Sequence, residues 1–124
     1  MSWKHFKLEE FSCPDCGLSA IDPALVDILD AVRDEIPYVM AIDSGTRCAQ
    51  HNANVGGKPK SAHMVMADGK SHAADIACAD NHMRFLLIKK LIEHGITRIE
   101  DGVDWIHADN ADDADHPQEE IFHA

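Results

Sequence analysis

Nine histidines, 22 acidic residues and four cysteines give this chain of 124 residues a rich supply of side chains that bind metals or move protons. Histidine also caps helices, sits on surfaces and fills cores, so the count selects no site and local context has to decide. His5, His94, His116 and His123 lie near a terminus, a helix end or an acidic run and read as ordinary residues, and His51 reads as a surface or capping residue. Four short stretches are more informative: Ser44-Gly45-Thr46-Arg47, Ser61-Ala62-His63, Ala73-Ala74-Asp75 and Asp104-Trp105-Ile106-His107-Ala108-Asp109. Two imidazoles and one carboxylate can hold zinc and leave a fourth position for water, the arrangement that metal-assisted hydrolysis requires. Singly, each stretch has a plainer reading: Asp75 as a strand-end carboxylate, Asp104 as a turn residue after Gly102, Arg47 as a partner of surface acids, Ser44-Gly45 as a turn.

Taken together and in this order, the stretches resemble the Ser-Gly-x-Arg, Ser-x-His, Ala-x-Asp and His-x-Asp elements of the zinc D-alanyl-D-alanine carboxypeptidase and L-alanyl-D-glutamate peptidase family. Phe11-Ser12-Cys13-Pro14-Asp15-Cys16-Gly17 and Ile21-Asp22-Pro23 resemble the start of its phage-type and bacterial short members, so the resemblance runs to about Asp109. It implies His63, Asp75 and His107 as Zn2+ ligands and Asp104 as the general base that takes a proton from the attacking water. Arg47 becomes the cation that contacts the substrate carbonyl or the developing oxyanion. Ser61 either bonds to the substrate or orients the loop that holds His63. Asp109, two residues past His107 and on the same side of a strand, is placed to orient a histidine ligand. The implied activity is hydrolysis of an amide in a peptidoglycan stem peptide, by a D-Ala-D-Ala carboxypeptidase or an L-Ala-D-Glu endopeptidase, with the cell wall reached after phage-type release. The alternative is a non-catalytic wall-binding or virion structural module that keeps the fold.

Two features depart from the family pattern. The ligand Asp usually follows the Ser-x-His histidine by seven residues, whereas Asp75 follows His63 by twelve. Five inserted residues within 64–71 restore the match, with Gly69 in the role of the family's glycine. His72 is the alternative ligand, although no Ser-x-His precedes it. Asp104 and His107 are three apart, which on an ideal strand puts them on opposite faces, so a bulge or turn is expected near Trp105.

The elements that must position these residues follow from periodicity. Asp22 can cap a helix that starts at Pro23, with Leu25, Val26, Leu29, Val32 and Ile36 forming its buried stripe before Pro37 ends it. Residues 38–42 read as a strand running into the Asp43-Ser44-Gly45 turn, 49–55 as a short helix ended by Gly56-Gly57, and 73–78 as a second strand. Asp80 is the expected cap of a helix over 81–94, closed by Gly95. Residues 96–99 and 105–109 read as two strands around Asp101-Gly102. The fold class this implies is α+β, with helices packed on one side of a small, mainly antiparallel sheet and the metal site at one sheet end. The expected organisation is one domain over residues 1–110 and an acidic C-terminal tail over 111–124.

Eleven Lys and Arg against 22 Asp and Glu leave a net charge of −11, which disfavours a nucleic-acid backbone as partner. Residues 1–10 hold no apolar run of signal-peptide length, and the apolar run over 85–92 is broken by Lys89 and Lys90, so neither a secretion signal nor a membrane span is expected. Cys13-Pro14-Asp15-Cys16 suits a redox dithiol or half of a zinc knuckle. No strand precedes it and Gly17 follows, which counts against the dithiol. Cys48 with Cys78 completes a structural zinc only if the fold brings them together, disulfides are the competing outcome outside the cytoplasm, and free buried thiols are the plain default for Cys78 and an option for Cys48.

Overall fold

In the computed structural model, which describes residues 2–123, helix α1 (Pro23–Glu35) begins at Asp22, whose carboxylate accepts the Ala24 N–H at 3.1 Å. Pro23 fits that first turn because its missing N–H would have had no partner there. Leu25, Val26, Leu29 and Val32 form the buried stripe, and the backbone turns extended at Ile36, just before Pro37. Helix α3 (Asn81–Glu93) opens the same way, with Asp80 accepting the Met83 N–H at 2.8 Å, and buries Met83, Leu87 and Leu91. Gly95 takes a positive φ, and the Ile96 N–H returns to the Leu91 carbonyl at 2.8 Å, so Ile96 belongs to the helix end and the strand expected there starts later.

Five strands form one sheet: β1 (Ile42–Ser44), β2 (Ala73–Ala77), β3 (Arg98–Asp101), β4 (Trp105–Asp109) and β5 (Glu120–His123). Their order is β1-β2-β4-β3-β5, antiparallel except for the β3/β5 pair. Ala74, Ile76, Ile99, Ile106 and Ala108 point from one face into a single core with α1 and α3. Each of these aliphatic side chains larger than Ala contributes roughly 1.5–3 kcal/mol by leaving water. The other face carries the alternate residues, among them Asp75, Glu100, His107 and Asp109. No helix among the described residues is long and apolar enough to cross a membrane.

Three further expectations change. The pairing of β2 with β4 runs unbroken from Ala73↔Asp109 to Ala77↔Trp105, so the bulge anticipated near Trp105 is absent; the irregularity falls instead on β1, between Ile42 and Ser44. The candidate ligands lie mid-strand on the open face of the sheet, not at a sheet end. The segment read as an acidic tail contains β5, whose Phe122 pairs with Glu100. Arg98 draws it in, reaching Glu120 at 2.6 Å and the Pro117 carbonyl at 3.4 Å.

Candidate metal centre

Strand register assembles most of the site. Ser44 pairs with Asp75, Asp75 with His107, His107 with Glu100 and Glu100 with Phe122, so one row crosses all five strands on the open face. Neighbouring strands lie under 5 Å apart, which puts the Asp75 and His107 side chains in contact. The third group, His63, descends onto this row from the loop after the short helix α2 (Ala49–Asn54).

Residues 64–71, which lengthen the spacing from His63 to Asp75, form a loop closed at its neck. The His72 N–H donates to the Ala62 carbonyl at 2.9 Å, and Ser71 pairs with Ile21. The chain thus leaves and returns at one place, next to His63. Ser61 Oγ accepts the His63 N–H at 3.2 Å, which orients this loop.

The donor atoms converge. His63 Nε2 lies 3.1 Å from Asp75 Oδ1 and 3.2 Å from His107 Nδ1, and His107 Nδ1 lies 2.9 Å from the same Asp75 oxygen. The far side of each ring is fixed. His63 Nδ1 meets the Gly45 carbonyl at 2.7 Å, and a carbonyl only accepts, so Nδ1 carries the hydrogen and Nε2 presents a lone pair. His107 Nε2 meets Asp109 Oδ2 at 2.6 Å, which in the same way leaves the Nδ1 lone pair facing inward. Two lone pairs and a carboxylate oxygen aimed at one point are a donor set that fits a divalent cation. A tetrahedral zinc with bonds of about 2.0–2.2 Å holds its ligands roughly 3.3–3.6 Å apart, so the triangle needs to open by only a few tenths of an ångström.

Burial pushes the His107 imidazole down, but the Asp109 and Asp75 carboxylates outweigh it and raise it to about 9. Burial dominates at His63 and holds it below the usual histidine value. Asp75 is raised by burial, yet its bonds to His107 and His63 hold it well below the ordinary carboxylate range.

Arg47 reaches Asp75 Oδ2 at 3.2 Å and is steadied by Ser44 Oγ at 3.0 Å and Asn52 Oδ1 at 3.3 Å. Asp109 is buried; its Oδ2 also accepts from Arg98 Nε at 3.1 Å, while Oδ1 finds no partner among the described residues. The cluster opens into a cleft of about 450 Å³ whose walls include Arg47, Lys58, Ser61, Glu100, Trp105 and Phe122.

Two sequence candidates stand elsewhere. His72 binds Asp68 at 2.7 Å and Asn110 at 2.9 Å and takes no part in the triangle. Asp104 is exposed and outside the cleft walls, its carbonyl accepting the Cys78 N–H at 2.9 Å. Its charge, after burial and Asp75, helps to raise the Asp43 carboxyl. Glu100, directly across from His107 and in the cleft wall, is an acidic residue beside the cluster that the sequence motifs did not single out. The register across the 101–105 turn was the only signal that pointed to it.

A family model described as Peptidase M15 matches residues 4–109. No curated protein matches the chain.

Proposed function

The chain belongs to the peptidase M15 family, and on that premise we propose that it is a zinc-dependent hydrolase of amide bonds in peptidoglycan stem peptides. The observation that carries the reading is the triangle of His63 Nε2, Asp75 Oδ1 and His107 Nδ1, each histidine locked from behind with its lone pair inward. Two imidazoles and one carboxylate are a donor set that would suit zinc and would leave it a fourth position for water. Zinc held there supplies a Lewis acid that polarises a carbonyl and makes water acidic enough to attack at neutral pH.

The chain's own residues do the rest. Arg47, held by Ser44 and Asn52, offers a fixed cation beside the ligands, where the carbonyl oxygen gains negative charge. Lys58 and Lys60 in the cleft wall give the carboxylates of a stem peptide a local attraction that the net charge of −11 denies them elsewhere. Ser61 orients the His63 loop. Proton transfer has two candidates: Asp104, three residues before His107, and Glu100. The cleft favours Glu100, which already lines it, whereas Asp104 has to swing in from outside. We take residues 1–110 as the peptidase domain and 111–124 as an appended acidic segment whose Phe122 closes one end of the cleft.

Incubation of the zinc-loaded protein with muropeptides, followed by mass spectrometry, tests this. Release of a terminal D-alanine identifies a D-Ala-D-Ala carboxypeptidase, and cleavage after L-alanine identifies an endopeptidase of the phage-lysis type, acting at the wall after release. Uncut muropeptides that nevertheless co-sediment with the protein would refute hydrolysis and support a wall-binding module.

A further inference from the structure

The cysteines form a second constellation, and it excludes the pairing of Cys48 with Cys78. Cys78 is buried at the start of α3, its Sγ donating to the Asp80 carbonyl at 3.7 Å. Cys48 lies instead with Cys13 and Cys16, all three thiols free and their sulfurs within 4.8 Å of one another. We infer that Cys13, Cys16, Cys48 and His51 form a separate, structural zinc site that ties the N-terminal segment to the turn carrying Arg47.

The spacing is that of two zinc half-sites, Cys13-x-x-Cys16 and Cys48-x-x-His51. In the first, the Gly17 N–H returns to the Cys13 carbonyl at 2.8 Å, and Gly17 takes the positive φ of 76° that this tight turn needs. In the second, Cys48 caps α2 and places His51 one helical turn on. Backbone N–H groups aim at the sulfurs, Cys48 N–H at Cys13 Sγ (3.5 Å) and His51 N–H at Cys48 Sγ (3.4 Å), an arrangement that stabilises thiolates. His51 Nδ1 lies 3.3 Å from the carboxylate of Asp15, one of the two residues between Cys13 and Cys16, and the ring has to turn from that carboxylate to complete the site. A tetrahedral zinc with Zn–S bonds of about 2.3 Å separates its sulfurs by roughly 3.8 Å, within what the cluster already spans. A disulfide would pair two of three adjacent thiols and strand the third; a metal uses all of them together with the imidazole.

The site is well placed for a structural role. Phe11, two residues before Cys13, accepts the Thr46 N–H at 2.9 Å and packs against Gly45, whose carbonyl orients His63. Cys48 directly follows Arg47. Tying Cys13 and Cys16 to Cys48 therefore fixes the turn that presents Arg47 and the His63 acceptor. The inference stands apart from the peptidase reading, because the His63–Asp75–His107 cluster contains no sulfur.

The full chain, purified reduced and without chelator, should carry two zinc per chain. His63→Ala and Cys48→Ser should each lose one. Cobalt-substituted wild type and His63→Ala should both show a thiolate-to-cobalt charge-transfer band in the near ultraviolet, absent from Cys48→Ser; His51→Ala should keep the band and lose cobalt faster to a chelator. Should Cys48→Ser fail to fold, the His63→Ala spectrum decides alone. A His63→Ala protein without the band, or a disulfide among Cys13, Cys16 and Cys48 in the reduced preparation, would overturn the site. A His51→Ala protein that holds cobalt as firmly as its parent would remove His51 from it.

Discussion

Asp109→Asn isolates what a charge behind a ligand does. The Asp109 side chain is about 1% exposed, accepts from His107 and Arg98 through Oδ2, and leaves Oδ1 unpartnered. Asparagine has the same shape, so its oxygen can take the two donors and its amide the empty side, with the charge gone. Two effects follow, opposite in sign. A neutral partner makes His107 Nδ1 a weaker donor, a loss of about 10–100-fold in metal affinity. In the metal-free protein, however, the Asp109 and Asp75 carboxylates raise His107 to about 9, so a metal arriving at pH 7 must displace a proton held about two pH units too tightly. At about 1.36 kcal/mol per unit that competition costs roughly 3 kcal/mol, and the variant is spared part of it. Zinc affinity of the parent should therefore rise nearly tenfold per pH unit from 7 toward 9 and then level off. Asp109→Asn should rise less steeply, lie near the parent at pH 7 and fall well below it above pH 9. The sign for the fold itself is the reverse: a raised histidine contributes stability in full below about pH 6.5, and the metal-free protein loses it as pH passes 9. Chelator competition at pH 7, 8 and 9.5, in a Cys48→Ser background that leaves one site, reads both curves. Parallel curves of equal slope would refute the proton-linked account.

His63→Ala should abolish metal binding at the triangle, while His72→Ala should retain it and lose only about 1 kcal/mol of stability from the bonds to Asp68 and Asn110; metal analysis and urea unfolding separate the two, and the reverse result makes His72 the ligand. In Gly45→Ala a Cβ would stand 2.5 Å from the Phe11 carbonyl, so backbone must shift, at about 1–3 kcal/mol and with weaker zinc binding because Gly45 orients His63; unchanged chelator competition would contradict this. Glu100→Gln should keep zinc and lose about 100-fold or more in muropeptide hydrolysis, with Asp104→Asn much closer to the parent; the opposite ranking returns the base to Asp104.

The helices were legible because their signals are local. Asp22-Pro23 and Asp80 cap the helices they were expected to cap, and the apolar stripes of α1 and α3 face the core. Strand ends were less legible where a helix cap competes, as Ile96 shows by closing α3 before β3 begins at Arg98. Strand β5 was hidden by composition. An acidic run reads as solvated, yet Arg98 and Thr97 on the sheet edge hold Glu120 and Gln118, contacts that no period within residues 111–124 announces.

At the site, sequence order survived where sequence distance did not. Asp75 follows His63 by twelve positions, but loops are tolerant of length when their ends are fixed. Here the ends are fixed by one backbone hydrogen bond, His72 to Ala62, and by the Ser71–Ile21 bridge. The excess length is therefore contained in a loop whose ends are held together beside His63. Asp104 and Glu100 show the converse. Asp104 stands three residues before His107, but it lies in the bend before β4 and is not among the residues that line the cleft. Glu100 is seven residues from His107 in the chain and directly opposite it in space, because the turn between β3 and β4 sets the pairing. Spacing along one stretch of chain therefore does not by itself say which carboxylate faces the ligands: the register of β3 on β4 sets Glu100 opposite His107, while the bend before β4 leaves Asp104 outside the cleft lining.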